Sequence, residues 1–93
     1  MRSTSTNNEI IGELQVLVFG PQARTVGADR LELGKTKFPI TADVLMSRIV
    51  ETYPDLSSSI GVSRLAVNHE FVESESLINA RDEVALVGLI SGG

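Results

Sequence analysis

The sequence predicts an α+β fold, a mixed sheet packed on one main helix. Three observations predict it. Only one stretch, residues 41–54, carries a strong helical stripe; four others alternate or run apolar like strands; and there is no cysteine, so packing alone must hold the chain. At 93 residues there is room for one domain and little else. Hydrophobic residues at 42% and charged residues at 22% match an ordinary globular balance.

The elements follow in order. Residues 1–11 read as a polar leader, 12–87 as the folded domain and 88–93 as an extended tail. LQVLVFG (14–20) is β-branched and aromatic, closed by Gly20-Pro21. Alternation puts Leu14, Val16 and Val18 on one face and Gln15, Leu17 and Phe19 on the other. The second face carries polar Gln15 and should meet solvent, yet it also holds Leu17 and Phe19. PQARTVGA (21–28) is a loop or a single helical turn ending at Gly27. DRLELG (29–34) alternates with Leu31 and Leu33 inward and is expected to stop at Gly34; the residues up to Pro39 are punctuation.

TADVLMSRIVETYP (41–54) has Thr41 as an N-cap, Asp43 at the positive end of the helix dipole and Pro54 as its stop. Leu45, Ile49 and Tyr53 recur every four residues, with Val44, Met46 and Val50 widening the stripe and Arg48 and Glu51 on the far side. RLAVNHEFV (64–72) is strand, two-residue turn at Asn68-His69 or His69-Glu70, and strand. Residues 73–84 form a polar crossover with Leu77 as its buried anchor. VALVGLI (84–90) is the last strand, Val84 and Leu86 on one face, Ala85 and Val87 on the other. An order of β-β-α-β-β-β around one long helix is that of the ubiquitin-like β-grasp.

Chemistry is scarce along this chain. Zero cysteines exclude a thiolate nucleophile, a redox pair and a Cys-based zinc site. His69 is the only histidine and lies in an expected turn, so no metal site is expected. Asp82 and Glu83 are adjacent and point to opposite faces of a strand, which prevents them from converging on a substrate. The serines at 57–59 have no base nearby in sequence, and Gly20, Gly27 and Gly34 are too widely spaced for a phosphate loop. No catalytic residue is expected in the body. A net charge of −4 without a Lys/Arg stripe argues against nucleic acid. No apolar run approaches the about 20 residues that span a bilayer, and a cytosolic setting fits the lack of cysteine.

Attention therefore moves to the end, SGG. The terminal carboxylate of Gly93 is the one reactive group unique to the chain. A carboxylate becomes an electrophile once activated, for example as an acyl-adenylate formed from ATP, and can then accept nitrogen or sulfur. Glycine suits such an end because a chain without Cβ passes through a narrow channel. Six extended residues reach about 20–22 Å, enough to enter a deep pocket while the body docks outside.

The segments LVFGPQAR, Gly27, LAVNHEFV and RDEVALVGLISGG, spread from Leu14 to Gly93, resemble the small, sulfur-carrier subunits of molybdopterin synthase. The resemblance implies a β-grasp fold and a carrier that is not itself the catalyst. An E1-like enzyme would adenylate Gly93 and sulfur would replace AMP, leaving a thiocarboxylate; no cofactor would stay bound. The large catalytic subunit of a heterotetramer would take the tail, with Ser91 and Gly92 threading its channel, and use two charged carriers per dithiolene. It also implies a partner-binding patch at Phe19, Phe71 and Val87; the competing placement puts Phe19 and Val87 in the core beneath a loop.

Two positions depart from the family pattern. Gly88 and Leu89 stand where two prolines are usual, so a looser tail is expected. Arg81 stands where glycine is usual, so the turn before Asp82 should differ, because positive φ strains arginine. Three alternatives remain at this level. One is a carrier for thiamine or tRNA thiolation. Another is a ubiquitin-like modifier, although LISGG lacks the basic residue such tails tend to carry. The third is a binding module with an idle tail.

Overall fold

The computed structural model describes residues 10–89. Strand β1 (Ile10–Leu17) leads into α1 (Gly20–Val26), β2 (Arg30–Phe38), β3 (Ile40–Thr41) and the main helix α2 (Ala42–Thr52). A 3-10 turn (Pro54–Leu56) and a short α3 (Ser57–Ile60) precede β4 (Ser63–Val67), β5 (Glu70–Phe71), β6 (Leu77–Ile78) and β7 (Val84–Gly88). Among the described residues five strands form one sheet in the order β2-β1-β7-β4-β5, and β3 pairs with β6 in a small second sheet. The pairing of β1 with β7 is parallel and the rest of the main sheet is antiparallel, so the sheet is mixed.

Alternation decides what is inside. Leu14, Val16 and Val18 lie inward, as do Val84 and Leu86, and all are buried. They pack with Leu31, Leu33, Leu65 and the α2 residues Leu45 and Ile49 in one continuous core. Of the broader stripe expected on α2, Met46 and Tyr53 are partly buried against this core, but Val44 is exposed. Pro54 ends the helix as expected and seeds the 3-10 turn, which drives Leu56 into the core.

The strands begin and end differently from the sequence expectation. β1 starts at Ile10, inside the stretch assigned to the leader, because Ile10 and Ile11 pair with Phe38 and Lys37. It ends at Leu17, and Phe19 in extended conformation (φ −139°) opens α1, with Pro21 in the first turn. The helix runs seven residues and stops at Gly27 in left-handed conformation, φ 73°.

Gly34 does not stop β2. It sits at a β-bulge, φ 75°, where the register slips between Leu14↔Gly34 and Gln15↔Glu32. One extra residue reverses the alternation: Leu31 and Leu33 point inward before the bulge, Thr36 and Phe38 after it. The segment expected to be punctuation is therefore the second half of a nine-residue strand.

β2 is the edge of the main sheet, and α2 closes that edge with side chains. Arg48 donates to the carbonyls of Leu33 and Lys35 on either side of the bulge and to Thr36 Oγ1 (2.7 Å). The Tyr53 hydroxyl accepts from the Glu32 N–H (2.9 Å) and lies 3.4 Å from the Glu32 carbonyl. Unpaired strand groups that would template another chain are thereby occupied.

The polar crossover ties down the start of α2. Ala42 and Asp43 N–H groups donate to the Ser76 and Ser74 carbonyls, at 3.0 and 2.9 Å. Thr41 holds the N-cap position, but its hydroxyl donates to Asp43 Oδ1 (2.6 Å) rather than accepting from the helix. That bond holds the Asp43 carboxyl below the ordinary carboxylate range. The buried anchor of the crossover is Ile78, which pairs with Ile40, while Leu77 faces out at 59% exposure. The hairpin turns on Asn68 and His69, φ 53° and 73°, as a two-residue connection.

Candidate functional site

The outer face of the sheet is read most simply along its register. Leu17 of β1 pairs with Ala85 of β7, Ala85 with Ala66 of β4, and Ala66 with Phe71 of β5. These four side chains form one row across four strands, large at the ends and small in the middle. Two residues further along lie Phe19, Val87 and Arg64, the last two paired. The outcome is a shallow apolar concavity lined by Leu17, Phe19, Ala66, Phe71, Ala85 and Val87. Phe19 and Phe71 stand at 56% and 50% exposure. A contiguous apolar surface differs in meaning from scattered surface hydrophobes, which are ordinary.

The three residues nominated from sequence, Phe19, Phe71 and Val87, are thus brought together on one surface. Phe19 is not in the core; it continues the outer parity of β1 past the strand end. Two contributors were missed. Ala66 follows from counting back through the two-residue turn from Phe71, a parity that required knowing which turn was used. Arg64 lies with its guanidinium 4.9 Å from the centroid of the Phe71 ring and reaches the Val72 carbonyl (3.3 Å) and Glu73 (3.8 Å). The opposite rim carries His69 and Glu83, 3.4 Å apart and both largely exposed. The floor is apolar and the rim is charged.

Next to this surface a second depression opens between α1 and the 59–63 segment, bordered by Phe19, Pro21, Val62, Val87 and Gly88. Gln22 lies at its base, 6% exposed. Its Nε2 donates to Ser63 Oγ (2.8 Å) and Ser59 Oγ (3.2 Å).

The chain leaves the sheet here. Gly88 pairs with Ser63, and the Leu89 N–H donates to the Val62 carbonyl at 2.8 Å. The looser tail expected from the lack of prolines falls mostly outside the described residues; at its first two positions the backbone is hydrogen-bonded. Gly88 continues β7, and Leu89, unlike a proline, has an N–H with which to extend the ladder. Ser91, Gly92 and Gly93, to which the reactive end and its threading were assigned, lie outside the described residues.

The remaining candidates are structural. Asp82 accepts from Asn68 Nδ2 (3.0 Å) and from the Asn79 N–H (2.8 Å), which fixes the 79–82 turn. That turn contains no positive φ, so Arg81 is accommodated without strain. Asp82 is committed to these bonds while Glu83 faces His69. Among the described residues no group of three or more His, Asp or Glu is placed to hold a metal ion. No helix among them is long and apolar enough to cross a membrane.

A mixed five-stranded sheet clasping one main helix, with its central strand running out toward the C-terminus, defines a ubiquitin-like β-grasp protein. Solved structures share the fold: SAMP1 from Haloferax volcanii superposes with a TM-score of 0.73 at 21% identity, covering 88% of this chain and all of that one. A chain in the complex of subunits 1 and 2 of molybdopterin-converting factor from Helicobacter pylori 26695 superposes at 0.56 with 17% identity, over 88% of this chain and 100% of that one. The model of the ThiS family matches residues 16–93, and the chain belongs to that family. The molybdopterin synthase sulfur carrier subunit of Dictyostelium discoideum is 30% identical over 83 residues, spanning 87% of this chain and 96% of that protein.

Proposed function

We propose that the chain is a sulfur carrier in molybdenum cofactor biosynthesis, the small subunit of a molybdopterin synthase. The observation that carries this is the 30% identity to a molybdopterin synthase sulfur carrier subunit over nearly that protein's whole length. The family match extends through Gly93, which supports placing the chemistry there.

The chemistry needs three steps. A Gly93 carboxylate oxygen attacks the α-phosphorus of ATP on an adenylating enzyme, and pyrophosphate leaves. Hydrosulfide then attacks the acyl carbon, the acyl C–O bond to AMP breaks, AMP leaves and a proton is lost, so that a thiocarboxylate remains. In the large subunit that sulfur attacks a carbon of the pterin precursor and displaces an oxygen substituent from it. Water then cleaves the acyl C–S bond of the resulting thioester, which leaves the sulfur on the pterin and restores the carboxylate. Nothing in the body of the carrier takes part in bond making; the catalytic groups belong to the two partners. No cofactor stays with the carrier, and the setting is the cytosol.

The body supplies docking. The apolar concavity around Phe19, Phe71 and Val87 serves both the large subunit and the adenylating enzyme, which take turns on it. A partner groove offering one or two apolar side chains over Ala66 and Ala85 fits this shape, and charged residues at its edge would meet Arg64, His69 and Glu83. The Helicobacter pylori structure, a complex of subunits 1 and 2 of molybdopterin-converting factor containing a chain of this fold, supports a large-subunit partner.

Intact-mass measurement tests the proposal. After incubation with ATP, its cognate adenylating enzyme and a sulfide source, the chain gains the mass difference between sulfur and oxygen. A variant lacking Gly93 gains nothing. Amide-linked adducts on lysines of other proteins, with no thiocarboxylate, would replace the carrier by a modifier. An unchanged mass alongside full cofactor production by the shortened chain would leave the tail idle.

A further inference from the structure

The root of the tail is clamped from the side by a buried polar network that neither the core nor the apolar patch requires. Gln22 projects from α1 and is 6% exposed. Its Nε2 donates to both Ser63 Oγ and Ser59 Oγ. Each of those hydroxyls passes its own proton on: Ser63 Oγ donates to the Ser59 carbonyl (2.8 Å) and Ser59 Oγ to the Leu56 carbonyl (3.1 Å). With both hydroxyl protons committed to carbonyls, the serine oxygens can only accept from the amide. The network therefore fixes which end of the Gln22 amide faces them.

The whole amide lies side-on to the root of the tail, its Nε2 4.0 Å from a Cβ built on Gly88. A Cβ built on Gly88 would meet Gln22 Oε1 at 3.7 Å and its Cδ at 3.8 Å, ordinary van der Waals contact. Ser63 is thus held twice. Its main chain pairs with Gly88 in the sheet, and its side chain is fastened through Gln22 to α1. One residue on, Leu89 N–H bonds to Val62, the residue before Ser63. Gly88 has no side chain of its own with which to hold position, so the strand partner and the Gln22 wall set the exit.

We propose that Gln22 is a positioning residue: through Ser63 it fixes where the C-terminal tail leaves the sheet, and so where Gly93 is presented to a partner. Four residues follow Leu89 and reach about 13–14 Å when extended. If the bonds at Gly88 and Leu89 open, the stretch between the last held residue and Gly93 lengthens to six residues and its greatest possible reach to about 20–22 Å. The end then searches a volume about three to four times larger, and its effective concentration at a docked active site falls by roughly two- to fourfold. The effect belongs to encounter of the tail with the site, not to the chemistry at the acyl carbon.

The activity arm of the test rests on the sulfur-carrier assignment; the exchange arm does not. In the full chain alone, NMR hydrogen exchange at Leu89 is expected to speed up about tenfold in Gln22→Ala, through loss of a buried hydrogen-bond network. Gln22→Met, which keeps volume but not the bonds, should do the same. Gly88→Ala adds a methyl in contact with Gln22 at a backbone without positive φ, and should slow Leu89 exchange. Ile49→Val, a change on α2 in the buried core that touches none of the bonds at Gln22, Ser63 or Leu89, serves as a control for general loss of stability.

With the cognate adenylating enzyme, Gln22→Ala should raise KM about two- to fourfold and leave kcat unchanged. Leu89 exchange in Gln22→Ala that follows global stability, as in the Ile49→Val control, would overturn the clamp. Faster exchange at Leu89 with an unchanged KM would overturn positioning as its role. Loss of kcat at unchanged KM would do so too. Absence of any adenylation of the unaltered chain would refute the carrier assignment while the exchange result stood.

Discussion

Truncating the two rings that wall the apolar concavity should separate docking from folding. Phe19 is 56% exposed and Phe71 50%. A phenylalanine buries about 150–250 Å² when enclosed, so roughly 100 Å² of each ring is still available to a partner. At about 25 cal/mol per Å² that area is worth about 2.5 kcal/mol per ring. Ordering partner side chains takes back about 0.5–1.5 kcal/mol, leaving about 1–2 kcal/mol. Each single alanine variant should then bind the large subunit about 5- to 30-fold more weakly. The ring halves already buried in the free chain make some loss of thermal stability unavoidable, so binding is measured by calorimetry well below the melting midpoint. Ala85→Arg is the companion variant. It removes no packing and fills the concavity with a charged side chain, and should weaken binding at least as much. Folded Phe19→Ala and Ala85→Arg proteins that both bind within twofold of the unaltered chain would refute the assignment of this surface.

Three further outcomes follow from other parts of the fold. Gly34→Val forces a β-branched residue into positive φ at the bulge, where space is open but the backbone is not permissive; it should cost at least about 1–2 kcal/mol in urea unfolding. Ile78→Ala should cost about 2–5 kcal/mol because Ile78 is fully buried, whereas Leu77→Ala, at 59% exposure, should fall within about 0.5 kcal/mol of the unaltered chain in the same assay. The Asp43 carboxyl titrates below its ordinary range, chiefly because the Thr41 hydroxyl bonds to it. The folded pKa is depressed, so the contribution of Asp43 is present above the ordinary carboxylate pKa and is lost as pH falls through the folded value. Thr41→Val should move its NMR titration midpoint upward.

Much of this architecture is legible in the residues, and the failures have local physical causes. Leu14, Val16 and Val18 against Leu17 and Phe19 gave the correct faces because period-2 alternation is intrinsic to a strand. Gly27 ended a helix as left-handed glycines do. Gly34 misled because a stop and a bulge both call for glycine at positive φ. The distinguishing sign was the switch of inward positions from 31 and 33 to 36 and 38. Thr36 hid that switch, being polar in sequence yet buried and bonded to Arg48. The exchange of Leu77 for Ile78 has another origin. In a two-residue strand no alternation exists to choose a face, so pairing with Ile40 decides it from outside. Arg48 and Tyr53 looked like an outer face and a stripe residue; their bonds to β2 needed the helix laid across the sheet edge. Asp82 and Glu83 were set aside in sequence as adjacent residues that cannot converge, and the structure gives them separate surroundings, Asp82 bonded within the 79–82 turn and Glu83 beside His69.

Where the sheet places its last strand links the docking surface to the tail. β7 lies third in the order β2-β1-β7-β4-β5, in the middle of the sheet. Its outward residues Ala85 and Val87 form the floor of the apolar concavity; Gly88 ends the strand and Leu89 follows it. At about 3.3 Å per residue, the root at Leu89 lies only about 7 Å along the chain from Val87. A protein that covers the concavity is therefore already beside the point from which the tail departs. The patch could not serve as well on α2, where a docked partner would hold the body without constraining the end. An end held near its target by a short tether gains effective concentration that a freely diffusing one lacks. For a carrier of the proposed kind, central placement of β7, with Ala85 and Val87 on its outer face and its end paired to Ser63 and Val62, joins recognition of the body and presentation of the carboxylate in a single docking event.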